Sequence, residues 1–154
     1  MAFAELIRRM TAAACSGDGA GVAACFTPDG VYHDVFYGEF KGADIGRMIE
    51  EFFHRDARDF VWDIHDPIDN GDIGYARYVF SFTSKLPGHE GKRACFEGVA
   101  VCQLKDGLIA HYAEVAEAST GLALMEFTDD RIAKHAHRMG RFLMARGEAE
   151  HHHR

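Results

Sequence analysis

Two runs of residues and the three that join them decide more about this chain than any other stretch. Phe96-Glu97-Gly98-Val99-Ala100-Val101-Cys102-Gln103-Leu104 and Leu108-Ile109-Ala110-His111-Tyr112-Ala113-Glu114-Val115-Ala116-Glu117 are rich in β-branched and aromatic residues, and Lys105-Asp106-Gly107 links them. Asp-Gly supplies the positive φ that a tight turn needs, so the pattern predicts an antiparallel hairpin. Side chains alternate along a strand, which puts Ala110, Tyr112, Glu114 and Ala116 on one face and His111, Ala113, Val115 and Glu117 on the other. A carboxylate beside a tyrosine and between alanines either lies on a solvated face or projects into a pocket. The hairpin alone leaves both readings open.

At 154 residues the chain is expected to form one domain around one core, and twelve phenylalanines supply ample apolar surface for it. The formal net charge of −7 argues against nucleic acid, whose phosphates require a dense basic surface. Cys15, Cys25, Cys95 and Cys102 have no C-x-x-C spacing, so buried thiols in a reducing compartment are expected rather than a redox or zinc motif. Neither a basic leader with a long apolar run nor a stretch of membrane-spanning length is present, and a cytoplasmic protein is the default expectation. Metal and nucleotide motifs are likewise missing from the sequence, His135-x-His137 being wrongly spaced to share a helix face.

In chain order, Phe3, Leu6, Ile7, Met10 and Ala14 recur at helical spacing, and Ser16-Gly17-Asp18-Gly19 ends that helix and caps a short second one through Cys25. Thr27-Pro28-Asp29-Gly30 reads as a turn and 31–36 as a strand with Tyr32, Asp34 and Phe36 on one side. A loop over 38–42 leads to a helix over 43–55 with an Ile45, Met48, Ile49, Phe52, Phe53 stripe, which at this spacing is core. Strands are predicted over 60–69 and 73–84, turned by Asn70-Gly71-Asp72, and 86–91 is an exposed loop. After the hairpin, Thr128-Asp129-Asp130 starts a helix whose stripe is Ile132, Ala136, Met139 and Leu143, with Arg131, Lys134, Arg138 and Arg141 on its other faces. So narrow an apolar face on an acidic chain argues against a membrane-surface role. Residues 1–127 are thus one domain, 128–147 a helix that extends it, and 148–154, with His151, His152 and His153, a disordered tail.

Helices followed by antiparallel strands indicate an α+β class: a curved, mixed, mainly antiparallel sheet wrapped around the N-terminal helices to leave a cone-shaped pocket, plus a C-terminal helix. The segments Phe26-Thr27-Pro28-Asp29-Gly30-Val31-Tyr32-His33-Asp34, Phe40-Lys41-Gly42-Ala43-Asp44-Ile45, Asn70-Gly71-Asp72 and Lys105-Asp106-Gly107-Leu108-Ile109 resemble the SnoaL-like branch of the nuclear transport factor 2-like superfamily, which also includes ketosteroid isomerases, scytalone dehydratases and limonene epoxide hydrolases. The resemblance runs over about residues 3–127. Its motifs speak for the fold more than for any one activity, since this superfold hosts enzymes and binding modules alike.

What the resemblance implies can be placed residue by residue. Asp34 looks like the general-base aspartate of the isomerases, which makes the Tyr32 and Asp34 face the inner one. Strand phase then turns Phe60, Trp62, Tyr75, Arg77, Phe96, Tyr112 and Glu114 toward the same hollow. Met10 and Ala100 stand where the isomerases have oxyanion donors, and Val79 stands where the epoxide hydrolases have the Asp of an Arg-x-Asp. The catalytic set expected is therefore Asp34, Arg77, Glu114 and Tyr112, with Tyr32, Phe53, Trp62, Tyr75 and Phe96 lining a substrate site. An inward Arg77 would need Asp34 or Glu114 as its partner, because an unpaired buried guanidinium is costly. The implied function is cofactor-independent acid–base chemistry, as isomerase, cyclase or dehydratase, on a small, mostly apolar carbonyl compound. Non-catalytic ligand binding or assembly is the alternative, and epoxide hydrolysis a third. A homodimer through the outer sheet face is expected by family analogy, with neither nucleic acid nor membrane as partner.

Overall fold

The hairpin forms where the sequence places it, and the rest of the sheet grows from it. In a computed structural model that describes residues 1–153, β5 (Arg93–Lys105) and β6 (Leu108–Ala116) pair antiparallel, with Ala100 opposite Glu114 and Cys102 opposite Tyr112. Asp106 and Gly107 at the tip both take positive φ, 52° and 76°. On the other edge of β5 lie β4 (Ile73–Ser84) and then β3 (Ala57–Asp69), and beyond β6 come β1 (Phe26–Asp34) and β2 (Gly38–Lys41). The order is β2-β1-β6-β5-β4-β3, antiparallel throughout except for the parallel pairing of β1 with β6. This is the mixed, mainly antiparallel sheet of the expected α+β class.

The sheet curls because β3 carries two interruptions in its pairing with β4, one between Arg58 and Val61 and one between His65 and Ile68. Asp59 and Asp66 occupy them at φ 54° and 51°, a conformation that aspartate tolerates better than most residues. Into the concave side pack α1 (Phe3–Ser16) and α2 (Gly19–Ala23). Phe3, Leu6, Ile7, Met10 and Ala14 are the buried face of α1, as its spacing requires. Gly17 stops that helix at φ 78°, and the Asp18 carboxylate accepts the Gly21 N–H at 2.7 Å to start the next. Gly74 sits under the Phe3 ring, where a Cβ would meet ring carbons at 2.6 Å, so the sheet and α1 approach through a glycine.

Several elements differ from the sequence reading. The expected turn at Thr27-Pro28-Asp29-Gly30 is extended chain inside β1, with a register shift against β6 between Phe26 and Val31. The expected 38–42 loop contains β2, and β3 begins at Ala57 rather than at residue 60. The helix over 43–55 is α-helical only at Asp44–Met48; it widens to a π turn over Ile49–Phe53 and closes at His54–Asp56, and we refer to 44–56 together as α3.

After β6 come α4 (Ser119–Leu124) and α5 (Asp129–Met144), the latter capped by Thr128 and acidic in its first turn, as the helix dipole favours. The α5 face turned to the body is Ile132, His135, Arg138 and Met139, while Ala136 and Leu143, expected on the apolar stripe, are exposed. The tail is not irregular throughout: Gly147–His152 forms a 3-10 turn with Ala149 buried, and Arg154 lies outside the described residues.

Candidate active site

Parallel pairing of β1 and β6 sets Tyr32 beside Tyr112, both inward and both fully buried, with rings stacked at 4.5 Å. Two residues further along each strand, on the same face, are Asp34 and Glu114. Both open on a cavity of about 670 Å³ that the cone leaves unfilled. Its walls are aromatic: Phe53 of α3 stacks on Phe60 at 4.9 Å, Trp62 lies 4.9 Å from Phe80, and Phe82 and Phe96 continue the surface. The space accommodates a small molecule with a flat or branched apolar body.

Asp34 is 5 % exposed, and its Oδ1 accepts the backbone N–H groups of Phe36 at 2.8 Å and Tyr37 at 2.9 Å. It therefore ties the β1–β2 turn while lining the cavity. Its Oδ2 makes no hydrogen bond among the described residues. Burial pushes the carboxyl above its ordinary range; the two N–H donors, His33 and Arg138 pull it back.

Glu114 is half-buried, and its Oε1 accepts from the Tyr112 hydroxyl at 2.6 Å. Desolvation, then repulsion from Asp34, pushes its pKa up to about 8, against the opposing pull of the Tyr112 and Tyr78 hydroxyls. Tyr78 lies beside this carboxyl but makes no well-formed hydrogen bond. Its hydroxyl occupies space left by Gly98, where a Cβ would stand 2.7 Å from it. Tyr32, Tyr78 and Tyr112 are all shifted upward by burial, so their hydroxyls stay protonated.

Of the residues expected in the site, Tyr32, Asp34, Phe53, Trp62, Phe96 and Glu114 line the cavity. Tyr112 does not; it is buried behind Glu114 and acts only through that carboxyl. Tyr75 and Arg77 are misplaced by the strand phase assumed for β4. Both are exposed on the outer face, Tyr75 at 45 %, and Arg77 pairs there with Asp66 at 3.2 Å rather than with Asp34 or Glu114. The inward set is Ala76, Tyr78, Phe80 and Phe82, fixed by Phe80 lying opposite Phe96. Burying three alternate aromatics outweighs burying one tyrosine and an arginine. With Arg77 and Val79 on the outer side of β4, that strand cannot supply an Arg-x-Asp to the cavity.

Sequence reasoning missed part of the wall. Tyr37 donates to Asp56 at 2.7 Å at the cavity edge, and that carboxylate is held below its usual range by Arg55 first and Tyr37 second. From α5 come His135, whose ring is 5.5 Å from Phe36, and Arg138, which donates to the Val35 carbonyl at 3.1 Å. Burial and neighbouring arginines lower the His135 pKa, favouring the neutral ring. The proximity of α5 to the mouth could have been suspected only from a basic helix a short way beyond the last strand. Among the described residues no cluster of three His, Cys, Asp or Glu side chains is arranged to hold a metal ion.

The sequence model of the SnoaL-like domain matches residues 7–112. The chain belongs to the SnoaL-like domain family. None of the curated proteins compared with it is significantly similar in sequence. Solved structures with the same fold include a hypothetical protein with a ketosteroid isomerase-like fold from Catenulispora acidiphila in complex with trimethylamine, at 17% identity and TM-score 0.71, covering 82% of this chain and 95% of that one. Another is IdmH of Streptomyces antibioticus, a proposed polyketide cyclase, at 19% identity and TM-score 0.67, covering 80% and 98%. A third is a limonene epoxide hydrolase-like epoxide hydrolase of M. tuberculosis, at 16% identity and TM-score 0.64, covering 79% and 87%. At such identities these similarities carry the fold of the SnoaL-like chain and not its chemistry.

Proposed function

We propose that this SnoaL-like protein is a cofactor-independent enzyme that moves a proton next to the carbonyl of a small, mostly apolar compound, as isomerase, cyclase or dehydratase. The observation that carries this reading is the placement of two carboxyls from neighbouring strands on the wall of one aromatic cavity, each with one oxygen held by the protein and one free. Asp34 is the base. Two N–H donors and Arg138 offset the effect of burial on its carboxylate, whereas Glu114 has only hydroxyl partners, so Glu114 keeps its proton into the neutral range. Asp34 Oδ2 takes the proton from the carbon beside the carbonyl while protonated Glu114 donates to the carbonyl oxygen, and Tyr112 holds Glu114 in position. Return of the first proton at a second carbon, and of the second proton to Glu114, completes an isomerisation. Arg77, expected in the catalytic set, takes no part, since it lies on the outer face.

The test is deuterium exchange at the carbon beside the carbonyl of 2-tetralone in D2O, followed by NMR. Wild-type protein is expected to accelerate it over buffer, and Asp34→Asn to remove about 10²–10⁴-fold of that acceleration. Asparagine keeps an oxygen for the Phe36 and Tyr37 N–H groups, so this variant separates the chemistry from the turn. Exchange equal in wild type and Asp34→Asn would leave the second reading, a ligand-binding domain in which Asp34 only ties the turn, a role its two backbone bonds already favour. We further infer that two copies pair through the outer sheet face, where Val61, Tyr75, Val99 and Val115 are exposed. Light scattering at twice the 17.1 kDa chain mass is the expected result.

A further inference from the structure

The cavity is capped on one side by α5, and the side chains that α5 brings to it are mostly cationic. Arg131, Lys134, Arg138 and Arg141 all border the cavity, at spacings of three and four residues that hold them on one side of the helix. From Arg131 to Arg141 the row runs about 15 Å along the axis. The two acidic residues of the same helix, Asp129 and Asp130, are in its first turn and do not border the cavity.

Six of the other twelve Lys and Arg side chains among the described residues are ion-paired. Arg47, Arg55, Arg58, Arg77, Lys92 and Arg146 each pair with a carboxylate. None of the four on the cavity side of α5 forms an ion pair among the described residues, although acids outnumber Lys and Arg by 24 to 17. Arg138 spends one nitrogen on the Val35 carbonyl, and its buried Nε has no partner. A row of like charges that borders an apolar hollow and holds no ion pair of its own is open to a negative group.

The floor cannot be where that negative group goes, because the Asp34 carboxylate would repel it. We propose that the natural ligand is an amphiphilic acid, its apolar body in the aromatic cup and its anionic end group, a carboxylate or phosphate, held at the rim by Arg131, Lys134 and Arg141. This rests on the cavity being a ligand site and adds to it the polarity and orientation of the ligand. The reacting carbonyl then lies on the apolar body, beside Asp34 and Glu114. Arginine at the rim suits such a group, since its guanidinium grips carboxylate and phosphate through two parallel hydrogen bonds.

Trp62, the only tryptophan, borders the cavity, so its fluorescence reports occupancy directly. The experiment is a titration of the full chain with octanoate, octyl phosphate and octanol, at low and at raised salt. At least one of the two anions is expected to bind about tenfold or more tightly than octanol, with the advantage shrinking as salt rises. The double variant K134Q/R141Q, at two exposed positions, is expected to lose that advantage while binding octanol as wild type does. An advantage for one anion only identifies which end group the rim was built for. Octanol binding as tightly as both anions, or an anion advantage that survives in the double variant, overturns the proposal and leaves the cavity reading standing. No binding of any of the three overturns both.

Discussion

The floor and the roof of the cavity are built on opposite principles. On the floor, Asp34 and Glu114 project from paired strands, and each has one oxygen fixed by a donor within 2.9 Å. On the roof, α5 has no buried residue and presents cations without carboxylate partners. Groups whose position is locked by backbone pairing can hold reacting atoms to the tolerance that proton transfer needs. Flexible side chains on a lightly docked helix can grip an end group of varied position but cannot steer a proton. On the proposed reading, the contrast puts chemistry on the strands and recognition on the helix.

The largest effect that would sharpen this contrast is expected from Glu114→Gln. It should slow 2-tetralone exchange by about 10²–10⁴-fold and remove an alkaline limb near pH 8, the point where wild type loses the Glu114 proton. An equal loss of exchange in K134Q/R141Q would break the division between floor and roof. A second measurement is stability against pH by denaturant titration. The Glu114 pKa is raised in the folded state from 4.5 to about 8, so between those values the native chain binds a proton that the unfolded chain does not. Its contribution to stability is full below pH 4.5, declines as pH rises, and is gone above 8. The decline should amount to a few kcal/mol, at about 1.4 kcal/mol per pH unit as an upper limit, and be missing in Glu114→Gln. Smallest of all is Arg77→Ala. Its ion pair with Asp66 is exposed, so stability should change by no more than about 1 kcal/mol and exchange not at all. A large loss of exchange would return Arg77 to the site.

Much of the floor was legible because strand alternation groups its residues and the resemblance to the isomerases turns that group inward. Tyr32 and Asp34 alternate outright, Tyr112 and Glu114 do the same, and the turn at Asp106-Gly107 fixes the hairpin register. β4 was harder, since aromatics stand at both phases: Tyr75 on one, Tyr78, Phe80 and Phe82 on the other. Partners from elsewhere in the fold, Phe96 opposite Phe80 and the Phe3 ring of α1 over Gly74, decide between them. The phase those partners select is the one that buries the three-residue aromatic run. The roof was not legible at all from periodicity. An apolar stripe through Ile132, Ala136, Met139 and Leu143 exists in the sequence, but the helix docks rotated so that His135 and Arg138 face the body. A cavity mouth rewards polar contacts, such as that from Arg138 to Val35, that a solid core would penalise.

The pairing of Tyr32 with Tyr112 joins the first long strand to the last. Asp34 and Glu114 are therefore strangers along the polypeptide and meet only when nearly every intervening segment has found its place, a closure that is slow because it is so non-local. A partly assembled or nicked chain would own both acids and have no dyad. Proton exchange, if the proposed chemistry holds, is thus a readout of completed topology, and recovery of it after dilution from denaturant should lag behind the return of helical signal.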